Sequence, residues 1–197
     1  VNAGVTMGIL FMAWEHFGPT INKIRLNLPR TAPGYPEFLE ELKWETDWLL
    51  KMQYPDGSGR VSHKLTRTNF ADFIMADKDE GERYFADWTS AATADFVAVL
   101  ARAARAFGPY DKAYALKCLN AAVLSYNFLR KNPDNKTYVN PDFKTGGYET
   151  DDKDDRLWAA AEMWETTGKR VYLKDFEERA GEMNYKVEAD WDFGTVA

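Results

Sequence analysis

The chain has 197 residues, 45% of them hydrophobic and 28% charged, which is the balance of a folded globular protein rather than a disordered one. Its net charge is −6 and its lysines and arginines are scattered, so we expect no binding to nucleic acid. We expect no membrane span either, because no apolar run approaches the roughly 18–20 residues that cross a bilayer. The single cysteine, Cys118, has no partner for an internal disulfide.

Hydrophobic periodicity near 3.6 residues predicts an all-α fold with six helices. In chain order these cover residues 4–17, 36–53, 90–107, 111–131, 154–166 and 171–183. The dipeptide Gly18-Pro19 is typical of a helix end, and Pro36 suits a first helical turn. The first segment lacks a basic start and a small-residue cleavage site, so it does not resemble a signal peptide.

Two of the connections between these helices are very short. Gly108-Pro109-Tyr110 joins the third helix to the fourth, and Gly168-Lys169-Arg170 joins the fifth to the sixth. Short joints predict antiparallel hairpins, and three hairpins separated by long loops form half of a twelve-helix toroid. A helical-repeat array fits the same pattern, although no repeat of fixed period is visible.

A long irregular stretch lies between Tyr54 and Asp87. It contains the turn PDGSG and then RVSHK, which we expect to form a short extended segment. Connections in compact domains are usually about 4–6 residues long, so a loop of this length is either functional or a tolerated surface insertion.

Residues 149–155, with the sequence ETDDKDD, form an acidic segment. Carboxylates this close repel one another unless they are solvated or bridged by a cation such as Ca²⁺. A solvated loop is the simpler interpretation, with Asp154 capping the fifth helix and Asp155 in its first turn. The segment lacks the spacing of an EF-hand. The two histidines, His16 and His63, lack zinc-ligand spacing.

Four segments resemble a known enzyme family in order along the chain. They are VNAG at the start, LKWETDWLLKMQYPDGSGRVSHK, DWTSAATADFVAVLARAARAFGPYD and TGGYETDDKDDRLWAAAEMWETTG. Together they resemble glycoside hydrolase family 9, the cellulases. On this basis residues 1–197 are interpreted as part of one catalytic domain.

The resemblance implies part of an (α/α)6 toroid that hydrolyses β-1,4-glucan with inversion, outside the cell. Inversion needs two carboxyl groups about 6.5–9.5 Å apart, one acting as acid and one as base. In the family the base belongs to an Asp-Ala-Gly-Asp motif before VNAG, and the acid is a glutamate near the end of the domain. We find neither group in this chain, and the pair Glu41 and Glu45 is interpreted as solvated. We therefore expect no catalytic residue here and no activity of the chain alone.

The resemblance also implies a structural Ca²⁺. Its ligands would be the acidic pair Asp154 and Asp155 with loop oxygens of Thr150 and Asp151. A later aspartate would complete the set, Asp192 or alternatively Asp190.

For sugar contacts we predict five residues in or beside the loops: His63, Phe70, Arg83, Trp88 and Tyr148. Packing is the alternative role for His63, and core packing is favoured for Trp88. Two rival functions stay open, a non-catalytic helical binding or scaffold module and another (α/α)6 carbohydrate enzyme. A half toroid would expose a large apolar surface, so we expect the chain to self-associate.

Overall fold

The computed structural model describes residues 2–28, 34–139 and 142–183. Within them the chain is helical, as predicted, with a short antiparallel pair of strands. The helices are α1 (Asn2–Ile21), α2 (Glu37–Leu49), α3 (Ser90–Phe107), α4 (Lys112–Lys131), α5 (Lys153–Thr167) and α6 (Arg170–Glu182). The strands are β1 (Leu65–Thr66) and β2 (Tyr84–Phe85), with a 3₁₀ turn at Ala76–Lys78 between them.

The predicted end of α1 is wrong, because the helix continues through Pro19 to Ile21. Proline removes one intrahelical hydrogen bond, but here only the last turn is affected. The N–H of Asn22 still donates to the Gly18 carbonyl at 2.8 Å, which closes that turn.

Two other boundaries differ from the prediction. Helix α2 ends at Leu49 because Gln53 pairs with Val61 in an antiparallel bridge. The side-chain amide of Gln53 donates to the Ala121 carbonyl at 3.0 Å, which holds Gln53 outside the helix. Helix α5 begins at Lys153, and its N-cap position is Asp152 rather than Asp154.

Helices α1, α3 and α5 run in the same direction. Gly4 lies against Asp95, and the Asp95 carboxyl lies beside that of Asp155. Further along all three helices, Glu15 and Glu162 both accept hydrogen bonds from Arg105. The three N-termini therefore meet at one end of the molecule, the front end, and the three C-termini meet at the back end.

Helix α3 is central, packed against α4 on one side and against α1 and α5 on others. Every residue of it except Arg102 and Arg105 is buried. Small residues allow this approach: a Cβ added at Gly4 would lie 2.7 Å from Asp95 Oδ2, and one at Gly8 would lie 2.7 Å from the Trp158 ring. The absence of a Cβ at these two glycines therefore lets α1 approach α3 and α5 closely.

The remaining helices pack antiparallel to this parallel set. The Trp14 ring near the end of α1 stacks on Phe38 at the start of α2, with centroids 6.2 Å apart. Gly168, with φ of 65°, ends α5 before the turn into α6. The pair α5 and α6 and the pair α3 and α4, which also pack together, are the hairpins that the short joints predict.

Several large apolar side chains are exposed, among them Ile9 and Phe17 on α1. Self-association through such a surface stays a prediction. Among the described residues, no helix has both the length and the apolar character needed to cross a bilayer.

A buried charge cluster joins the parallel helices towards the back end. The Glu162 carboxylate, 7% exposed, pairs with Arg102 Nε at 2.5 Å and Arg105 Nη2 at 2.6 Å. Arg105 also pairs with Glu15 Oε1 at 2.8 Å. Two cations thus face two anions, and each helix of the parallel set supplies at least one member.

Candidate functional site

The long loop at the front end contains a β-hairpin, which we call the hairpin arm (residues 64–87). Ser62 pairs with Trp88, and beyond them Leu65 faces Phe85 across β1 and β2. The backbone N–H of Lys144 donates to the Thr68 carbonyl at 2.7 Å. The arm therefore rests on the segment that leads to the acidic loop.

His63 lies just before the arm and is buried. Its Nε2 is 2.8 Å from the Gly147 carbonyl, which can only accept, so this nitrogen carries the proton. Its Nδ1 then accepts from the Thr89 hydroxyl at 3.0 Å. The ring stacks on Tyr138 with centroids 4.5 Å apart. Burial lowers the pKa of His63 to about 4, so the imidazole is neutral.

Tyr148 follows the segment that His63 and Lys64 hold. Lys64 Nζ donates to the Gly146 carbonyl at 2.6 Å and to Thr145 Oγ1 at 3.0 Å, and burial lowers the Lys64 pKa. Tyr148 has φ of 56°, a left-handed conformation that costs energy in a residue with a side chain. Its exposed ring lies over Gly146, where an added Cβ would come within 3.2 Å of it. Tyr148 therefore combines a strained backbone and an exposed ring with a preceding segment that His63 and Lys64 hold in place.

A cavity of ≈ 170 Å³ lies beside these residues at the front end. Apolar side chains from α2 and α3 line it together with a few polar groups, among them His63, Lys64, Asp95 and Tyr148. The structure therefore brings together two of the five predicted sugar-contact residues, His63 and Tyr148. An apolar cavity with a few converging polar groups is the usual form of a small-ligand site.

Asp95 was not singled out from the sequence. It is only 4% exposed and its carboxyl group lies beside that of Asp155. One oxygen of each carboxyl group has no hydrogen-bond partner. Burial raises the pKa of both groups, and for Asp155 the adjacent Asp95 raises it further. An acid within the apolar run SAATADFVAVL was the signal that could have revealed it.

The other three predicted sugar contacts lie away from the cavity. Phe70 is 72% exposed on the hairpin arm. Arg83 is also on the arm, where Nη2 pairs with Asp79 Oδ2 at 2.7 Å. Trp88 packs edge-on against Phe128 and lies under Lys136 Nζ, 4.3 Å from its ring centroid. That geometry agrees with the core-packing alternative for Trp88.

The predicted calcium ligands are only partly gathered. Thr150 Oγ1 donates to the Asp151 carbonyl, and Asp151 Oδ1 accepts from the Lys153 N–H at 2.9 Å. Asp154 is half-buried and Asp155 faces Asp95, while Asp190 and Asp192 lie outside the described residues. No three His, Cys, Asp or Glu groups of the described ranges form a ready metal cluster. The oxygen donors and the unpartnered Asp155 Oδ2 nevertheless suit a hard cation.

The sequence profile of Glycosyl hydrolase family 9 matches residues 1–196. The chain belongs to this family. Endoglucanase D of Acetivibrio thermocellus is 56% identical over 198 residues, which cover 100% of this chain and 32% of that enzyme. A xyloglucan-specific endo-beta-1,4-glucanase of Bacteroides ovatus is 31% identical, with 91% of this chain and 32% of that enzyme covered.

Solved structures agree on the fold. A thermostable endoglucanase from Alicyclobacillus acidocaldarius superimposes with a TM-score of 0.87 at 30% identity, covering 96% of this chain and 36% of that one. The family 9 resemblance and the partial (α/α)6 toroid are thereby confirmed. The chain spans about a third of the length of these relatives. Family membership excludes the rival prediction of another (α/α)6 enzyme family.

Proposed function

We propose that the chain forms one wall of the glucan-binding cleft of an enzyme that hydrolyses β-1,4-glucan. The observation that carries this proposal is the pairing of a strained, braced Tyr148 with His63 beside a front-end cavity, in a chain of family 9. An insoluble polymer cannot enter a cell, so we propose that the whole enzyme acts outside it.

Tyr148 is the residue that we assign to stacking against a pyranose ring. Its ring is exposed, and the two residues before it are each held by a side chain from the loop, Gly146 by Lys64 and Gly147 by His63. An aromatic ring fixed before binding loses little freedom when a sugar stacks on it. In this proposal the strained backbone of Tyr148 holds the ring in the position that a bound sugar needs.

His63 acts in this proposal as a positioning residue rather than a direct sugar ligand. Both of its ring nitrogens are already bonded inside the chain, to Thr89 and Gly147. A neutral imidazole in this position fixes the peptide that precedes Tyr148. The sequence predicts a direct sugar contact for His63, whereas the role that we propose is indirect, through Tyr148.

Titration of the chain with cellopentaose tests the assignment of Tyr148. We expect Tyr148→Ala to weaken binding roughly tenfold, the loss of about 1.4 kcal/mol that one stacked ring provides. Tyr148→Phe keeps the ring and should bind nearly as well as the unaltered chain. Tyr110→Ala removes an exposed tyrosine at the back end and serves as the control. Equal binding by all three variants would remove Tyr148 from the site.

The chain itself should have no cellulase activity. The motif Asp-Ala-Gly-Asp does not occur in its 197 residues, and the buried pair Asp95 and Asp155 is too close to hold a water between two carboxyl groups. Turnover of soluble cellulose that survives careful purification, and that is lost on substituting a residue of this chain, would contradict the proposal.

We also propose a structural Ca²⁺ at the acidic segment, held by Asp154, Asp155, Thr150 and Asp151 with Asp192 or Asp190. The support is the set of oxygen donors at the start of α5 and the orphaned oxygen of Asp155. A bound divalent cation would offset the mutual repulsion of these carboxylates.

Calorimetric titration with Ca²⁺, paired with melting in the presence and absence of the ion, tests this site. We expect saturable binding and a higher melting temperature with calcium, because a ligand that binds only the folded state stabilises it. Asp154→Asn should reduce both effects. Asp142→Asn, at an exposed position before the acidic segment, should leave them unchanged. No binding heat and no shift for the unaltered chain would end the proposal.

A further inference from the structure

The tip of the hairpin arm, residues 70–75, presents apolar side chains to solvent. Phe70 is 72% exposed, and Phe73, Ile74 and Met75 are exposed as well. Isolated apolar residues on a surface are ordinary, whereas four exposed apolar side chains within six residues are a candidate binding surface. We call these residues the arm tip.

Below the tip, ion pairs hold the two legs of the hairpin arm together. Asp79, 15% exposed, pairs through Oδ1 with Arg67 Nη1 at 2.6 Å and through Oδ2 with Arg83 Nη2 at 2.7 Å. The two arginines lie on opposite legs of the hairpin, so this carboxylate ties the legs together. Asp79 Oδ1 also accepts from the Gly81 N–H at 3.2 Å. A braced arm holds its tip in place before any ligand arrives, which lowers the entropy cost of binding.

The arm is continuous with the candidate cleft. It begins at Lys64, directly after His63, and Lys64 also holds the segment before Tyr148. On the other leg, the Tyr84 ring lies 6.4 Å from that of Phe143, centroid to centroid. The same polar contacts that fix Tyr148 therefore fix the base of the arm, and the arm extends the wall of the cleft outward.

We propose that the arm tip is a second glucan contact outside the cleft, where Phe70 and Phe73 pack on the apolar faces of pyranose rings of insoluble cellulose. The ligand class rests on the proposed function. The neighbouring charges on the arm are mostly acidic, with Asp72, Asp77, Glu80 and Glu82, so polyanions are repelled. The four apolar side chains of the tip have no strong donor to recognise individual hydroxyl groups, which suits an extended neutral surface better than one soluble oligosaccharide.

Retention of the chain on insoluble cellulose tests the proposal. We expect the double variant Phe70→Ala/Phe73→Ala to lower the partition coefficient roughly tenfold, since each ring supplies part of the stacking energy. Phe73→Trp keeps a flat ring and should be retained like the unaltered chain. Phe17→Ala removes another exposed phenylalanine, on α1 and away from the arm, and should leave retention unchanged. Both changed side chains of the double variant are exposed, so its melting temperature should match that of the unaltered chain.

Three results would overturn the proposal. The first is retention of the double variant equal to that of the unaltered chain, and the second is no retention of either. The third is a dimer in sedimentation that the double variant converts to monomer, because the tip would then be covered by a second copy. Cellopentaose titration separates this proposal from the cleft: arm-dependent retention without any cellopentaose binding would refute the cleft assignment and leave the arm tip supported.

Discussion

The two ends of the parallel helices α1, α3 and α5 differ in how their buried charged groups are paired. Towards the back end, Arg102 and Arg105 face Glu15 and Glu162, and every charge has a partner. At the front end, Asp95 and Asp155 lie together, and each keeps an oxygen without a hydrogen-bond partner. Helix N-termini favour negative charge, which lowers the cost of burying these carboxyl groups but does not supply their missing hydrogen-bond partners. A balanced cluster serves stability, whereas an unbalanced one is typical of a functional site.

The largest effect is expected at the back end. Glu162→Ala leaves two largely buried arginines short of their shared carboxylate, and breaking such a pair costs about 3–5 kcal/mol. Urea denaturation of the chain at neutral pH measures the loss. Glu165→Ala, at an exposed position on the same helix, should change stability by less than about 0.5 kcal/mol. Similar losses for the two variants would show that the cluster adds nothing.

At the front end, His63→Ala should cost about 2–3 kcal/mol, because the Thr89 hydroxyl and the Gly147 carbonyl both lose a partner. His16→Ala, on an exposed position of α1, is the matched control. The folded pKa of His63, about 4, lies below the unfolded value near 6.5, so the unfolded state binds more protons between them. Stability should therefore fall as pH drops from about 6.5 towards 4. The variant should lack that part of the pH dependence, and an unaltered slope would argue against a buried neutral imidazole.

Also at the front end, Gly4→Ala tests the close approach of α1 to α3. The new Cβ would lie 2.7 Å from Asp95 Oδ2, and overpacking of this kind costs about 1–3 kcal/mol. Gly181→Ala meets nothing within 4 Å and adds a better helix former to α6, so its stability should be equal or slightly higher. Thermal melting of the two variants side by side gives the comparison. A neutral Gly4→Ala would mean that the helices separate easily.

The smallest expected effect has the opposite sign. In calcium-free buffer at neutral pH, Asp95→Asn should raise stability by about 1 kcal/mol, because it removes a buried acid whose pKa is raised in the folded state. Denaturation midpoints of this variant and of the exposed control Asp142→Asn measure the gain. A loss of stability in Asp95→Asn would show that the charge of Asp95 is needed even without a ligand. Another group at the front end would then have to offset that charge.

Much of the fold follows from local pattern. Helix α3 begins and ends where the sequence predicts, because Thr89 accepts from the Ala92 N–H at its start and the apolar periodicity is unbroken. The predicted end of α1 was wrong because a proline disrupts a helix most in its interior, whereas Pro19 lies in the last turn. Of the candidate site, His63 and Tyr148 were proposed from residue type and loop position, but Asp95 was not, since its partner Asp155 is 60 residues away along the chain.

The helices, the short hairpin joints and the membership in family 9 can be read from the sequence, because periodicity, turn residues and motifs are local properties. Long-range packing sets the parallel direction of α1, α3 and α5 and brings two aspartates together at their front end. It also makes the long loop a braced arm, through Asp79 and the contact of Lys144 with Thr68. These contacts join residues distant along the chain, and their energy depends on burial and exact distance, which no local pattern encodes.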